Sequence, residues 1–295
     1  MEWLDFCASA LRLSVPVLIC ALGALYSERS GIVNIGLEGM MLTGAFWGAL
    51  GAMHGGPAAG VAMAVAAGLL MALLHAVATV TCRIDQIVSG VAINILAYGL
   101  ARFFSYSLLG TATTSPPISG FPKHSIAGLP ELSCFVPLSF LLVLLAWFFL
   151  ERTVFGLRLK SAGENPAAAD SLGIDVTANR YTGVLISGAL AGLAGGYLSI
   201  EHTGMYVEGM TQGKGFIALA AMIIGNWQPG GVMAASLLFG ASEALSIRGI
   251  PGLPVPYQFV KMLPYLITLV ILAGAGRKTR PPAAVGLPYS RNETG

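Results

Sequence analysis

Residues 31–54, GIVNIGLEGMMLTGAFWGALGAMH, contain one carboxylate, Glu38, and no lysine or arginine. A helix needs about 20 mostly apolar residues to cross the roughly 30 Å hydrocarbon core of a bilayer, and this stretch is long enough. A helix on a water-soluble core keeps a charged face, whereas this one is small and apolar all round. The neighbouring stretch 56–80 has the same character. The whole chain follows suit: of 295 residues, 55% are hydrophobic and only 10% charged, against roughly 25% charged in an average soluble protein. With a mean hydropathy of +0.75, too few charges exist to cover a water-facing surface. Disordered, fibrous, coiled-coil and soluble nucleic-acid-binding classes are excluded. The sequence is that of a polytopic membrane protein.

Reading outward from 31–54 places spans at 3–25, 31–54, 56–80, 86–109, 134–150, 182–200, 214–226, 229–247 and 256–274, about nine in all with a range of 8–10. The stretch 214–226 is short for a crossing and reads as a broken or re-entrant helix. The alternation expected of barrel strands is absent, so the fold class is all-α, a transmembrane helix bundle forming a single domain over 1–295. Of the sixteen Lys and Arg residues, Arg29, Arg83, Arg152, Arg158, Lys160, Arg180, Arg277, Lys278, Arg280 and Arg291 fall on one side. Lys123, Lys214 and Arg248 fall on the other side, and Arg12, Arg102 and Lys261 fall within spans. The richer side is expected to be cytoplasmic, which puts the N-terminus outside and the C-terminus inside. The net charge of +2 carries no further information.

Glu2 and Asp5 stand where a leader would be basic, and no small-residue cleavage site follows, so the first apolar segment is expected to remain as a span. Cys7, Cys20, Cys82 and Cys134 form no CxxC and have no histidine at metal-ligand spacing; they read as small apolar residues in or beside helices. Two connections are long. Residues 110–133 are rich in Pro, Ser and Gly and face outward, whereas 151–181 are charged and cytoplasmic. The tail 277–295, with RKTRPP, is expected to be a disordered cytoplasmic anchor.

A weak internal repeat aligns Gly31–Met41 with Gly213–Ile223, pairing Gly31 with Gly213, Ile35 with Ile217, Leu37 with Leu219 and Met40 with Met222. The span assignment runs the first segment inside-to-out and the second outside-to-in. That is the pattern of an inverted repeat, in which a transport path lies between the halves.

Within the cytoplasmic connection, Asn165 followed by Pro166 reads as a helix N-cap with proline at the first helical position. AAADSL continues it for a turn or two, and Gly173 stops it. From the residues alone this short helix is either a surface connector or a docking element; being below about 12 residues, it needs a packing partner to hold.

The segment 156–176, GLRLKSAGENPAAADSLGIDV, resembles the cytoplasmic coupling loop of bacterial ABC importer permeases. SERSGIVNIGLEGMMLTGAF (27–46) and GKGFIALAAMIIGNWQPGG (213–231) resemble the nucleoside and simple-sugar branch of the wider group that includes branched-chain amino acid permeases. The likeness runs from about residue 11 to 275, and NIGLEGMM (34–41) is most similar to the nucleoside type. The resemblance implies an inverted-repeat ABC importer permease in the bacterial cytoplasmic (inner) membrane. It further implies that Gly163, Glu164, Asn165, Pro166, Ala167, Asp170 and Gly173 form the ATPase-coupling loop. The implied partners are ABC ATP-binding subunits, a homologous second permease and an extracytoplasmic substrate-binding protein, with lipid around the spans. The chain itself is expected to bind no cofactor and no metal, with ATP-Mg carried by the partner subunits. Simple sugars or branched-chain amino acids are the alternative cargo.

The chain has no P-loop of its own. The nearest string, Gly209-Met-Thr-Gln-Gly213-Lys214-Gly215, is one residue short and puts Gly215 where Ser or Thr is required. No nucleophile–base set or carboxylate pair points to catalysis, so an enzyme is not expected. Among intramembrane polar groups, a charge at Glu38 must face protein or a cavity. If 31–54 is helical throughout, Asn34 and Glu38 lie one turn apart and line a path with Thr43 and Asn94; alternatively, Glu38 is purely structural. Arg102 and Glu243 are expected to pair, and Glu201, His202, Glu208 and Lys214 to cluster at the outer mouth, as a solvated face or as a dock for an external binding protein. His75 reads as a hydrogen-bonded core histidine. Gly44/Gly48, Gly56/Gly60 and Gly188/Gly192 are spaced for close helix packing. An ion-coupled secondary transporter using Glu38 or His75 is the competing class, and it leaves 156–176 without a role.

Overall fold

A computed structural model of the chain describes residues 2–122, 133–248, 262, 266, 270 and 279–290. Among them the elements are α1 (Glu2–Arg29), α2 (Leu37–Ala76), α3 (Gln86–Leu109), α4 (Phe135–Arg152), α5 (Val154–Glu164), α6 (Pro166–Ser171), α7 (Val176–Tyr197), α8 (Lys214–Ile224) and α9 (Pro229–Arg248). Single π turns, Val77–Thr81 and Leu198–His202, extend α2 and α7. No strand occurs among the described residues beyond an isolated bridge from Thr114 to Val207, which ties the long outer connection to the segment before α8. Apart from three isolated positions, the expected span 256–274, with Lys261, lies outside the described residues, as do Lys123, Arg277, Lys278 and Arg291.

Among the described residues, six helical elements are long and apolar enough to cross a membrane: Trp3–Arg29, Leu37–Thr81, Gln86–Leu109, Phe135–Arg152, Val176–His202 and Pro229–Arg248. The nine expected spans are not confirmed, and two features of the chain take a form that apolar length does not show. The stretches 31–54 and 56–80 form the two limbs of a hairpin, each long enough to cross, that doubles back at Gly56, where φ is 78° and ψ 176°. Pro57 then starts the second limb, the helical position where its missing N–H costs nothing. A methyl built on Gly60 would lie 2.6 Å from the Gly48 carbonyl oxygen, so the limbs 37–55 and 57–76 lie side by side. Gly56 is therefore a turn and not the packing glycine expected from its spacing. The stretch 214–226 contains only the 11-residue α8, about 16 Å of helix, which is half a crossing.

Packing of backbone on backbone holds the bundle together. α7 lies in the cleft between the two α2 limbs, where a methyl on Gly192 would collide with the Ala64 carbonyl and with Gly68. Gly44 meets Gly192, and Gly48 meets Gly196. In the other half, α1 lies against α9 through Gly240, whose methyl would come 2.5 Å from the Ala10 carbonyl and 2.6 Å from Ser14 Cβ. α1 and α7 run antiparallel: Tyr197 bonds the Arg12 carbonyl at 2.9 Å, Gly23 meets Ser187, and Gly183 meets Tyr26 and Ser30.

Each half thus consists of a long helix, a positive-φ glycine, a second helix, a sharp reversal and a returning helix. The glycines are Gly31 (φ 95°) and Gly213 (φ 81°), and the reversals are Gly56 and the pair Asn226–Trp227, both at φ 53°. The glycines matched in sequence are matched in conformation. The long helix of each half packs on the hairpin of the other.

Candidate functional site

Two helices begin in the interior. Residues 31–36 do not form a helix, because Gly31 takes a left-handed conformation and the chain climbs beside α1 before α2 starts at Leu37. Glu38 is therefore in the first turn of α2, not two turns into it, and Asn34 does not sit one helical turn below it. α8 starts at Lys214, about 16 Å from its reversal. Both helix starts expose N–H groups that have no partner within the helix and no water to turn to.

The Glu38 carboxylate supplies those partners across the repeat. It accepts from Thr211 Oγ1 at 2.6 Å, from the Gly213 amide at 2.9 Å and from the Gly215 amide at 2.8 Å, and is 2% exposed. Anionic oxygen at a helix N-terminus also meets the positive end of the α8 dipole. The helix starts can touch because residue 215 is glycine; a methyl there would lie 2.5 Å from the Glu38 nitrogen. Asn94 on α3 performs the parallel task for α2, accepting from the Gly39 amide at 2.7 Å and donating to the Ile35 carbonyl at 3.0 Å. Tyr98, one turn along α3, stands near Glu38 and Thr211.

The remaining candidates are placed as follows. Asn34 is fully buried, donates to Ser187 Oγ at 3.0 Å and touches Met40 Sδ at 3.4 Å, while its Oδ1 has no partner. Thr43 returns its hydroxyl to the Gly39 and Met40 carbonyls, both at 3.0 Å. His75 is a core histidine as expected, held by Ser89 Oγ at 2.9 Å and the Val33 carbonyl at 3.2 Å.

The expected Arg102–Glu243 pair does not form. The buried start of α8 puts Lys214 beside α9, where its ammonium holds both Glu243 oxygens at 2.6 and 2.8 Å. Arg102 instead reaches Glu208 at 3.6 Å. Lys214 is 9% exposed, so it belongs to the interior and not to a solvated outer face. Glu201 accepts from the Phe121 amide at 2.6 Å and, with Arg12, Tyr197, His202 and Arg248, lines an outer cavity of about 260 Å³.

At the opposite end the connection 151–181 is largely helical. Thr153 caps α5 through the Gly156 amide at 3.3 Å; that 11-residue helix is missed from sequence because Gly156 and the charges of GLRLK blur its pattern. The expected cap of α6 is present: Asn165 Oδ1 accepts from the Ala168 amide at 3.0 Å, with Pro166 at the first position. Gly173, at φ 78°, ends the turn. Ala169 packs with Ala162, Val176, Ile174 and Tyr289. Ala167, Ala168, Ser171 and Leu172 face outward, Leu172 at 80% exposure.

The tail provides a correction here. Residues 279–290, expected to be disordered, lie along this face: the Ala283 amide donates to Glu164 Oε2 at 3.2 Å, the Ala284 amide to the Gly163 carbonyl at 2.9 Å, and Tyr289 to Asp170 Oδ2 at 3.1 Å. A groove of about 530 Å³ opens beside it, with Arg83, Asp170, Asp175 and Tyr289 in its walls. Gly163 abuts the Arg29 carbonyl. Arg29 donates to the Trp227 carbonyl at 3.0 and 2.6 Å, while Trp227 Nε1 donates to Glu28 at 2.7 Å. These links join residues far apart in sequence, and periodicity carries no signal for them.

Residues 6–272 match the family described as branched-chain amino acid transport system / permease component. Over 97% of this chain and 96% of its relative, the sequence is 39% identical to the guanosine ABC transporter permease protein NupQ of Bacillus subtilis (strain 168), an organism whose second such permease, NupP, is 25% identical. It is 38% identical to the nucleoside ABC transporter permease protein NupC of Lactococcus lactis subsp. cremoris, over 97% and 96% of the two chains. A putative glucose ABC transporter permease protein of Haloferax volcanii is 31% identical over 98% and 99%. No solved structure gives a significant match.

Proposed function

The chain belongs to the family of permease components of branched-chain amino acid transport systems, and from that premise we propose that it is the nucleoside-translocating permease of an ATP-driven importer in the bacterial inner membrane. The observation that carries the cargo is the 38–39% identity, over nearly the whole chain, to permeases named for guanosine and nucleosides. The 31% identity to a putative glucose permease makes a sugar the second reading.

The mechanism follows from the two ends of the molecule. ATP-Mg is bound and hydrolysed on separate subunits, and α6 is the surface that engages them: its outward face is small and apolar, ending in Leu172. Glu164, Asn165, Pro166 and Asp170 shape that helix, and Gly163 and Gly173 set its approach and exit. Ala167 stands on its exposed side. The excess of Lys and Arg in the loops at this end supports a cytoplasmic position for it, with the N-terminus on the other side, where a binding protein delivers the cargo. A second, related permease completes the path, as the paired permeases of Bacillus subtilis suggest.

The path passes the junction of α2, α3 and α8, where Asn94 and Tyr98 stand beside the Glu38 clamp and Asn34 and Thr43 lie behind it. Rocking one half against the other then opens that junction to alternate sides. The test is uptake of labelled guanosine, glucose and leucine by cells with and without this gene, each also carrying a Walker-lysine mutant of the ATPase. Guanosine uptake lost in both backgrounds is the expected result. Uptake that persists without the ATPase but collapses with an uncoupler would overturn the reading in favour of an ion-coupled carrier.

A further inference from the structure

The C-terminal segment is bonded to more separate elements than a tail needs for its own order. Within ten residues, the Arg280 amide donates to Asn226 Oδ1 at 2.9 Å, the Ala283 amide to Glu164 at 3.2 Å and the Ala284 amide to the Gly163 carbonyl at 2.9 Å. Further along, the Gly286 amide donates to the Gly31 carbonyl at 3.1 Å, Arg180 Nη1 to the Leu287 carbonyl at 2.9 Å and Tyr289 to Asp170 at 3.1 Å. The acceptors Asn226 and Gly31 are distinctive. Gly31 is the left-handed residue that opens the non-helical segment leading to α2, and Asn226 is in the left-handed reversal that ends α8. These are the two points where the half-helices clamped by Glu38 are anchored. The other acceptors, Gly163, Glu164 and Asp170, bracket α6. The segment therefore spans the exposed helix and both anchor points at once.

The corner before α6 also packs directly on the first anchor, where Gly163 abuts the Arg29 carbonyl and Gly31, but the second anchor is reached less firmly. Arg29 stands 3.9 Å from Glu164, beyond hydrogen-bond reach, although it grips the Trp227 carbonyl. Hydrogen bonds made by backbone amides transmit displacement better than exposed ion pairs, since they fix direction and are not weakened by long side chains or salt. Pro281 and Pro282 stiffen the segment between its bond to Asn226 and its bonds to Glu164 and Gly163.

We propose that residues 280–289 form a coupling strap that ties the ATPase-facing helix α6 to the anchor points of both half-helices, with Ala283, Ala284 and Tyr289 as its positioning residues. The strap rests on the permease reading given above and adds the route by which movement of α6 reaches the centre of the membrane. A push on α6 is delivered to Gly31 and Asn226 together, so both halves move as one.

The test uses the complete transporter in proteoliposomes, with ATPase subunits, partner permease and binding protein, and reads three quantities: ATPase subunits bound, stimulation of hydrolysis by the binding protein, and labelled guanosine moved per ATP. Deleting the chain from Arg280 onward is expected to leave the ATPase bound while guanosine moved per ATP falls about fivefold or more, the range of a typical coupling energy. Tyr289→Phe is expected to lower the ratio about threefold, the loss of one modest hydrogen bond. Glu164→Ala is expected to behave likewise, whereas Glu164→Gln, which keeps an oxygen for the Ala283 amide, restores the ratio.

An unchanged ratio in a deletion that still assembles would overturn the strap. So would a deletion that loses the ATPase altogether while Tyr289→Phe and Glu164→Ala retain the full ratio, because the segment would then serve assembly alone. If the intact transporter hydrolyses ATP in response to its binding protein but moves no guanosine, the cargo reading fails. The strap is then judged by whether the same variants lose that stimulation.

Discussion

The two halves of the bundle share a backbone plan and differ in what fills it. In the first half the hairpin of α2 is built from small residues and closes around α7 so tightly that backbones touch at Gly44, Gly68 and Gly192. In the second half the hairpin of α8 and α9 has one short limb of 11 residues, and its polar groups are charged: Lys214 and Glu243 pair inside it. The first half gives a buried carboxylate from its hairpin, Glu38, to the second. The repeated feature is conformation, a left-handed glycine followed by a helix that starts in the interior. The divergent feature is how the exposed start of that helix is satisfied, by the amide of Asn94 in one half and by a carboxylate in the other. Backbone reversals restrict sequence severely, whereas a helix N-terminus accepts any well-placed oxygen.

The comparison is tested most severely at its tightest contact. Gly192→Val must drive two limbs of α2 apart and is expected to cost more than about 3 kcal/mol, read as loss of the folded protein on detergent size-exclusion. The corresponding contact of the second half, Gly240→Val, meets the Ala10 carbonyl, Ser14 Cβ and the Ser14 nitrogen, all on the single helix α1, and is expected to cost about 1–3 kcal/mol. Equal damage from the two would show that the halves are packed alike after all.

Glu38 comes next. Glu38→Ala strips the acceptor from Thr211 and from two amides, a loss expected to be about 3 kcal/mol because buried donors are left without partners. Glu38→Gln, with one oxygen for three donors, should fall between, as measured by thermal unfolding of the purified transporter. Lys214→Met is expected to cost less, about 1–2 kcal/mol, since Glu243 is one-third exposed and water can take the place of the lost ammonium. If Lys214→Met proved the worse of the two, the lysine, not the carboxylate, would be the residue that holds the halves together.

The same contrast explains how far the sequence could be read. Length and apolar character locate helices, so the all-α bundle, the short α8 and the capped α6 were legible at Asn165, Pro166 and Gly173. A window of apolar residues cannot distinguish a helix from a turn of glycine and alanine. For this reason 31–54 read as helix through Gly31–Gly36, and the break at Gly56 separated two spans without showing that they pack as one hairpin. Partners were less legible still. Glu38 with Gly215, Lys214 with Glu243 and Tyr289 with Asp170 are joined across 177, 29 and 119 positions, and only the tertiary fold brings them together. The tail misled for a related reason: RKTRPP is too polar and proline-rich to form an element, yet its backbone amides bond the loops of others.

The smallest expected effect is a difference between two alanines. Gly31 and Gly213 share a left-handed backbone, so alanine at either site incurs the same intrinsic penalty of about 1 kcal/mol. Their surroundings differ. A methyl on Gly31 would sit 3.2 Å from Arg180 Nη2 and 3.3 Å from Gly163 Cα, whereas a methyl on Gly213 would meet only Phe216 at 4.0 Å. Gly31→Ala should therefore exceed Gly213→Ala by somewhat under 1 kcal/mol, the cost of shifting a buried guanidinium and the neighbouring loop. Paired thermal unfolding curves measure that difference directly. Equal losses would mean that conformation alone selects glycine at the matched positions. A larger loss at Gly31 would mean that the first half has added a packing demand to the turn that both halves share, on the side where α6 and the strap converge.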